Sequence, residues 1–258
     1  MEYSLRSHVG KVRSNNEDFI EHFNICENAH IFIVSDGMGG HNKGEVASKI
    51  ATQTVISLIE KDKSVISESI STGKLQDTMM LLVNSIKLAN QVVYEEGEKE
   101  EFFGMGTTMV TAIIAGDRLL IANVGDSRCY LIRNGAIKQL TKDNSFVQEL
   151  LESGVITPEE AITHSKKNII TRAIGTDCYL KVDTYEFELE TEDMIILCSD
   201  GLTNMIRDEE ILSISSSDSS LEDKTDKLVD KALENGGLDN ISLILIKYDN
   251  KVGVEDDK

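Results

Sequence analysis

The stretch from Thr107 to Leu140 reads TTMVTAIIAGDRLLIANVGDSRCYLIRNGAIKQL. Its apolar runs are short, rich in β-branched residues and separated by two tight turns, Ala115-Gly116-Asp117 and Arg133-Asn134-Gly135. The Asn-Gly pair in the second turn is typical of a two-residue β-hairpin. Because such turns join neighbouring antiparallel strands, the stretch predicts an antiparallel meander and not a βαβ crossover.

Outside this stretch, further segments carry the patterns of strands and helices. The apolar runs that predict strands are residues 31–34, 194–198 and 241–246. The segments with helical periodicity are residues 44–61, 74–96, 145–153 and 221–234. The serine-rich segment 61–74 predicts an exposed loop between the first two helices. Since helices and strands occur in separate groups, we expect an α+β architecture in a single domain, with helices packed on antiparallel sheets.

Charge and hydropathy argue against several classes of function. The chain has 258 residues, with 26 Lys+Arg against 45 Asp+Glu and a formal net charge of -19. This charge repels phosphate backbones and anionic lipids, so we expect no binding to nucleic acid or membranes. No apolar run reaches the ~20 residues that cross a bilayer, and the N-terminus is too polar for a signal peptide. We therefore expect a cytoplasmic protein.

The cysteine pattern offers neither a metal site nor a nucleophile. The four cysteines, Cys26, Cys129, Cys178 and Cys198, are widely spaced and form no CxxC pair. This spacing excludes a zinc knuckle and a dithiol redox motif, and we expect reduced, buried thiols. Cys198 lies in the apolar run 194–198, which predicts a core residue and not a catalytic thiolate.

Aspartates recur at the polar ends of the predicted core strands. Asp36 and Asp200 each occur in a Ser-Asp-Gly sequence directly after an apolar run. Asp239 precedes the run 241–246, and Asp18 follows a polar turn. Singly, each is explained as a turn residue. Together they favour a site for two hard divalent cations, with Mg²⁺ or Mn²⁺ preferred over Zn²⁺ because the donors are all oxygen. Both interpretations stay open on these residues alone.

Seven motifs, in this order and spacing, resemble the PPM/PP2C family of metal-dependent serine/threonine phosphatases, in particular its compact bacterial branch. They are RSNNED (13–18), VSDGMGGH (34–41), GMGTT (104–108), NVGDSR (123–128), TRAIG (171–175), SDGL (199–202) and DNI (239–241). Each motif alone is weak, but the ordered set is highly specific. The resemblance covers residues 3 to 248, which is essentially the whole chain.

The resemblance implies a fold and a domain organisation. The fold is a four-layer αββα sandwich, in which two central antiparallel β-sheets are flanked by helices. A single phosphatase domain spans residues 1–248, and its flap, a mobile region near the site that influences substrate choice, covers about residues 144–172. Residues 249–258 form an acidic C-terminal tail.

The resemblance also implies how one of two metal ions is held. Asp36 bridges both ions, and the Gly37 carbonyl binds one of them. An acid from Glu17-Asp18 binds the same ion; Asp18 is the preferred ligand, with Glu17 acting through a water molecule.

The second ion is held by Asp200 and Asp239 in the family pattern. Asp126 matches the position that, with Asp200, holds a third, weaker ion in bacterial members. Its alternative explanation is a turn aspartate between two strands. The expected ions are Mn²⁺ or Mg²⁺.

Arg13 matches the family's phosphate-binding arginine. The family mechanism is direct attack on phosphorus by a hydroxide that bridges two metal ions, without a phosphoenzyme. Eukaryotic members carry a histidine at the position of Met38 as the proposed general acid. Here His41 is our candidate for that acid, with a metal-bound water as its rival. The family often has His or Asp at the position of Asn144, to which we assign no role.

The expected function is therefore hydrolysis of phosphoserine and phosphothreonine in proteins. The implied partners are a bacterial serine/threonine kinase, whose action the enzyme would reverse, and the substrates of that kinase; we expect a monomer. Two alternatives remain open: a catalytically silent relative that binds phosphoproteins, and a phosphatase acting on small phosphoesters. Degenerate ligands would indicate the first alternative, whereas substrate size separates the second from a protein phosphatase.

Overall fold

The computed structural model describes residues 1–39 and 43–249, which form two antiparallel β-sheets and their flanking helices. The five-stranded sheet contains, in spatial order, β1 (Glu2–His8), β11 (Ile241–Lys247), β10 (Met194–Cys198), β7 (Arg128–Arg133) and β8 (Ala136–Gln139). The six-stranded sheet contains β2 (Asp18–Cys26), β3 (Ala29–Met38), β5 (Met109–Ala115), β6 (Arg118–Val124) and β9 (Asp183–Glu188), with β4 (Gly106–Thr107) paired to the end of β3.

Helices cover the outer face of each sheet. The six-stranded sheet carries α1 (Lys43–Lys61), α2 (Lys63–Thr72) and α3 (Gln76–Gly97), followed by a short 3₁₀ turn at Glu100–Phe102. The five-stranded sheet carries α6 (Asp200–Thr203), α7 (Asp208–Ser215) and α8 (Leu221–Glu234). The segment between β8 and β9 contains α4 (Phe146–Glu152) and α5 (Pro158–Thr163). The expected four-layer αββα sandwich is thus confirmed.

Alternation along the strands explains why the sheets are covered on both faces. In β3, Ile31 and Ile33 pack toward α1 and α3, whereas Phe32 and Val34 pack between the two sheets. Because successive side chains of a strand point to opposite faces, a continuous apolar run produces two buried surfaces. The run in β11 does the same for the five-stranded sheet.

The predicted meander is correct at its two hairpins and wrong between them. β5 pairs with β6, and β7 pairs with β8 through Asn134 and Gly135, whose φ angles of 51° and 73° fit the expected turn. β6 and β7, however, belong to different sheets. The chain crosses between the sheets at residues 125–127. Gly125 there has a φ of 104°, a value that residues with a side chain rarely adopt.

The expectation of a loop at residues 61–74 is wrong, because most of this segment forms α2. Ile66 is fully buried, and Ile70, one helical turn later, packs against the same cluster. The serines are compatible with a helix because they bond to its own carbonyls: Ser67 Oγ donates to the Lys63 carbonyl at 3.2 Å, and Ser71 Oγ donates to the Glu68 carbonyl at 2.8 Å.

In the part of the chain that the structure describes, no helix is both long and apolar enough to cross a membrane. Of the predicted acidic tail, Asp249 is described, and residues 250–258 lie outside the described residues.

Two histidines face each other across β2 and β3. His22 Nε2 lies 3.1 Å from His30 Nδ1, and the His22 ring stacks on Phe32 with a centroid distance of 4.7 Å. Partial burial, and then the nearby His30, lower the pKa of His22 to about 4. The folded protein therefore resists protonation of this imidazole more strongly than an unfolded chain does.

We expect this pair to make stability depend on pH. Folding lowers the pKa of His22 from 6.5 to about 4. The contribution of the neutral imidazole to the free energy of unfolding is therefore complete above pH 6.5 and is lost as the pH falls toward 4. Denaturant unfolding of the native protein and of His22→Gln should show a loss that is smaller in the variant by about 1 kcal/mol, allowing for the exposure of the ring. His8→Gln, at an exposed position of β1, is the control; an equal loss in all three proteins would contradict the prediction.

Candidate active site

The predicted acidic residues lie together where strands of both sheets end on one side of the sandwich. Asp18 begins β2 and is paired in register with Asp36 near the end of β3. Asp200 follows β10, and Asp239 precedes β11, which is the neighbour of β10. Ser199 connects the two sheets here, because its Oγ donates to Asp18 Oδ2 at 2.8 Å. Two adjacent strand ends from each sheet therefore supply the four carboxyl groups.

Burial and mutual repulsion dominate the electrostatics of these groups. Burial first, and then the charges of Asp18, Asp200, Asp126 and Asp239, raise the pKa of Asp36 well above its usual range. Burial is also the main reason why the pKa of Asp18 and that of Asp126 rise to about 7. The pKa of Asp200 is raised as well, by burial and by Asp239. Such a cluster favours a compensating positive charge.

Arg13 supplies one positive charge at the rim of this cluster. Its Nη2 donates to Asp239 Oδ2 at 2.8 Å, and the side chain remains 52% exposed. Glu17 and Asp36 are also close enough to raise the pKa of this guanidinium. An arginine held in this way by a carboxylate presents a planar set of donors to solvent, which suits an incoming phosphate.

Close backbone contacts position Glu17 and Gly37. The Gly37 N–H donates to the Glu17 carbonyl at 3.1 Å. A Cβ at Gly37 would lie 2.1 Å from the carbonyl oxygen of Gly44, so any side chain here would push α1 away from β3. The Glu17 carboxylate accepts a hydrogen bond from the Gly44 N–H, which partly opposes the increase in its pKa caused by burial.

Hydrogen bonds from Asn240 hold the loop that carries Arg13 and Glu17. The Asn240 side chain accepts from the Glu17 N–H at 2.8 Å and donates to the carbonyls of Val9 and Asn15 at 2.9 Å each. In the sequence, this residue stands out only as part of the DNI motif. The Asp-Asn pair before β11 was the available signal, but it does not indicate which loop the amide would bind.

Hydroxyl groups link the Asp36 and Asp126 segments, a role that no sequence pattern indicates. Thr108 Oγ1 accepts from the Asp36 N–H at 3.0 Å and lies 2.7 Å from Ser127 Oγ. Next to Ser127, the half-buried Arg128 binds Asp143 through contacts of 2.8 to 3.1 Å. Residues 125–127, which connect the two sheets, are therefore held in place on both sides of Asp126.

The donor chemistry of the cluster fits hard divalent cations. Asp18 Oδ1 is buried without a hydrogen-bond partner in the described part of the chain, and the neighbouring donors are carboxylate oxygens. The charge of Asp200 contributes to the raised pKa of Asp36 after burial, and a bound cation would relieve this repulsion. Within residues 1–39 and 43–249, no three acidic, His or Cys side chains already form a closed ligand shell, so cation binding requires side-chain adjustment.

Two expectations about other groups have different outcomes. His41, the candidate general acid, lies outside the described residues. The cysteines are free, but the expectation that all are buried is wrong for Cys178, which is exposed in the irregular segment before β9, and Cys26 is only half-buried. Burial raises the pKa of Cys198 to about 12, so this thiol stays protonated at neutral pH and is not a nucleophile.

Comparison with known proteins identifies the family. The profile described as "Protein phosphatase 2C" matches residues 6–236. The chain belongs to the protein phosphatase 2C family. It is 41% identical over 250 residues to the serine/threonine phosphatase stp of Listeria monocytogenes, with 96% of each chain covered. This membership makes the chain a protein phosphatase enzyme, and metal dependence is a general property of its family.

Solved protein phosphatase 2C structures resemble the fold. The serine/threonine phosphatase of S. agalactiae superposes with a TM-score of 0.88 at 37% identity, covering 95% of this chain and 98% of that one. The catalytic domain of the phosphatase PstP was solved in complex with 2 manganese ions. It superposes with a TM-score of 0.79 at 34% identity, and the match covers 95% of this chain and 96% of the PstP chain.

We expect Asp36→Asn to stabilise the protein in the presence of a chelator. The amide removes one charge from the carboxylate cluster, so unfolding at pH 8 should require about 1–2 kcal/mol more than in the native protein. Thermal unfolding in EDTA measures the difference. Asp230→Asn, at an exposed position of α8, is the matched control. A lower melting temperature for Asp36→Asn than for both other proteins would show that the cluster is not under electrostatic strain.

Proposed function

We propose that this protein removes phosphate from phosphoserine and phosphothreonine in other proteins. The Listeria monocytogenes and S. agalactiae relatives are both named serine/threonine phosphatases. The observation that carries the proposal is the cluster of carboxyl groups around Asp36, with Arg13 at its rim. Together they combine a site for cations with a donor for the phosphate, which is what hydrolysis of a phosphate monoester requires.

Two divalent cations are proposed as cofactors, Mn²⁺ or Mg²⁺, in line with the manganese complex of PstP. Asp36 would contact both ions. Asp18, through its unpartnered Oδ1, and the Gly37 carbonyl would hold one ion, with Glu17 acting through water. The residues proposed for the other ion are Asp200 and Asp239, and those for a third, weaker ion are Asp126 and Asp200.

The chain's own residues position the substrate for this reaction. When bound, the cations supply an activated water molecule and neutralise charge on the phosphoryl group. Arg13 binds the phosphate oxygens and is itself oriented by Asp239. His41 is proposed to donate a proton to the leaving serine or threonine oxygen, since it follows the glycine run in the sequence.

The substrate class also indicates where the enzyme acts in signalling. Phosphoserine and phosphothreonine in proteins are made by serine/threonine kinases, so the proposed activity reverses such a kinase. We propose a bacterial kinase of this class, and the proteins it phosphorylates, as partners, because the named relatives are bacterial.

We expect hydrolysis of a phosphothreonine peptide to require added Mn²⁺ or Mg²⁺ and to stop in EDTA. Asp36→Asn should abolish turnover, because the ligand shared by both ions is lost. Arg13→Ala should lower kcat/KM roughly 100-fold while Mn²⁺ binding persists, because phosphate stabilisation is lost and the carboxylates remain. Release of inorganic phosphate measures the rates, and calorimetry measures Mn²⁺ binding. Arg6→Ala, on β1 and paired with Asp226, is the matched control.

Other outcomes of this experiment would contradict the proposal. A clear preference for p-nitrophenyl phosphate over the peptide would indicate a phosphatase of small esters. A folded protein that binds the phosphopeptide but shows no turnover with either ion would be a silent phosphoprotein-binding relative. Turnover in EDTA would contradict the metal site itself.

A further inference from the structure

Two large apolar side chains lie exposed beside the arginine that is proposed to bind phosphate. Val12 directly precedes Arg13 in the chain and is 65% exposed, and Leu238 directly precedes Asp239 and is 57% exposed. Each is thus the neighbour of one member of the ion pair at the rim of the carboxylate cluster. In the described part of the chain, neither side chain belongs to the buried clusters that pack the sheets and helices. The fold therefore gains little from either of them.

Backbone contacts hold the two loops that carry these side chains against each other. One loop follows β1 and the other precedes β11, which is the neighbour of β1 in the five-stranded sheet. The Lys11 N–H donates to the Gly237 carbonyl at 2.7 Å. A Cβ at Gly10 would lie 2.2 Å from the carbonyl oxygen of Asp239, so the loops leave no space between them. The exposed apolar groups are thus held on a fixed backbone next to the ion pair.

A phosphate bound by Arg13 brings the rest of the substrate close to both side chains. Adjacent residues of this chain have Cα atoms about 3.8 Å apart, and an extended peptide advances roughly 3.3 Å per residue. The residues on either side of the phosphorylated one therefore come within reach of Val12 and Leu238. Any other protein that covered these two side chains would also cover Arg13 and block the site. The occupant that is compatible with turnover is the substrate itself.

We propose that Val12 and Leu238 select substrates with an apolar side chain next to the phosphorylated residue. The inference deepens the proposed function and rests on it, because it takes Arg13 to bind the phosphate of the substrate. Contact with an apolar side chain removes the exposed surface of both residues from water, which stabilises the bound peptide. Since this contact is the same before and during the reaction, its effect falls mainly on KM.

Two phosphothreonine peptides test this selection. They differ only at the two residues that flank the phosphothreonine, which are leucine in one peptide and asparagine, a polar residue of similar size, in the other. Release of inorganic phosphate at saturating Mn²⁺ gives kcat and KM for each peptide. We expect the native protein to prefer the leucine peptide about tenfold in kcat/KM, mainly through a lower KM.

A double variant tests whether the two side chains cause the preference. Val12→Thr and Leu238→Asn, combined in one chain, replace apolar groups by polar groups of similar size and leave Arg13 in place. The matched control makes the same two exchanges at exposed positions of the helices on the six-stranded sheet, Val65→Thr in α2 and Leu88→Asn in α3. Calorimetric titration with Mn²⁺ reports whether the carboxylate cluster is intact in each protein.

We expect the preference for the leucine peptide to fall about tenfold, to near one, in the Val12→Thr/Leu238→Asn chain and to persist in the control. No preference in the native protein, or a preference that survives both exchanges, would overturn the inference. An equal loss for both peptides would also overturn it, because the side chains would then support Arg13 without contacting the substrate. No turnover of either peptide by the native protein with bound Mn²⁺ would instead contradict the proposed function, and the inference with it.

Discussion

Asp36 lies half-buried among four other carboxyl groups, and each of these charges raises the free energy of the others. The neighbouring groups at this end of the sandwich either reduce that repulsion or hold the acids in place. Arg13 offsets part of it from the rim, where it pairs with Asp239. The proposed cations would offset the rest, so the chain stores in its folded state an unfavourable charge cluster that becomes favourable when the cofactor binds.

The strand ends allow the protein to tolerate this cluster. Asp18 and Asp36 are paired in register, so neither can move without disturbing the six-stranded sheet. Hydroxyl and amide groups then fix the backbone beside the acids: Ser199 binds Asp18 across the two sheets, and Thr108 binds the Asp36 N–H. A rigid mount of this kind keeps ligands close enough to share ions, which a flexible loop would not do.

The sequence predicts best what depends on local pattern. Apolar runs and turn residues predicted the central strands, and helical periodicity predicted α8 at its observed bounds. β9 was missed because it is an edge strand with alternating exposure and three acidic residues, so it contains no apolar run. The Thr157 capping box marks α5 in the sequence but was overlooked. The acids were found by their place at strand ends, whereas partners such as Thr108 and Ser127 depend on contacts that only the folded chain creates.

A crystal structure of the protein soaked with Mn²⁺, with anomalous scattering recorded at the manganese edge, would show whether the clustered acids bind two cations. We expect two strong peaks, both in contact with Asp36, with Asp18 at one and Asp200 and Asp239 at the other. A weaker third peak at Asp126 would agree with the proposed third site. Strong peaks elsewhere, or none at these carboxylates, would show that the acids are not clustered to bind cations.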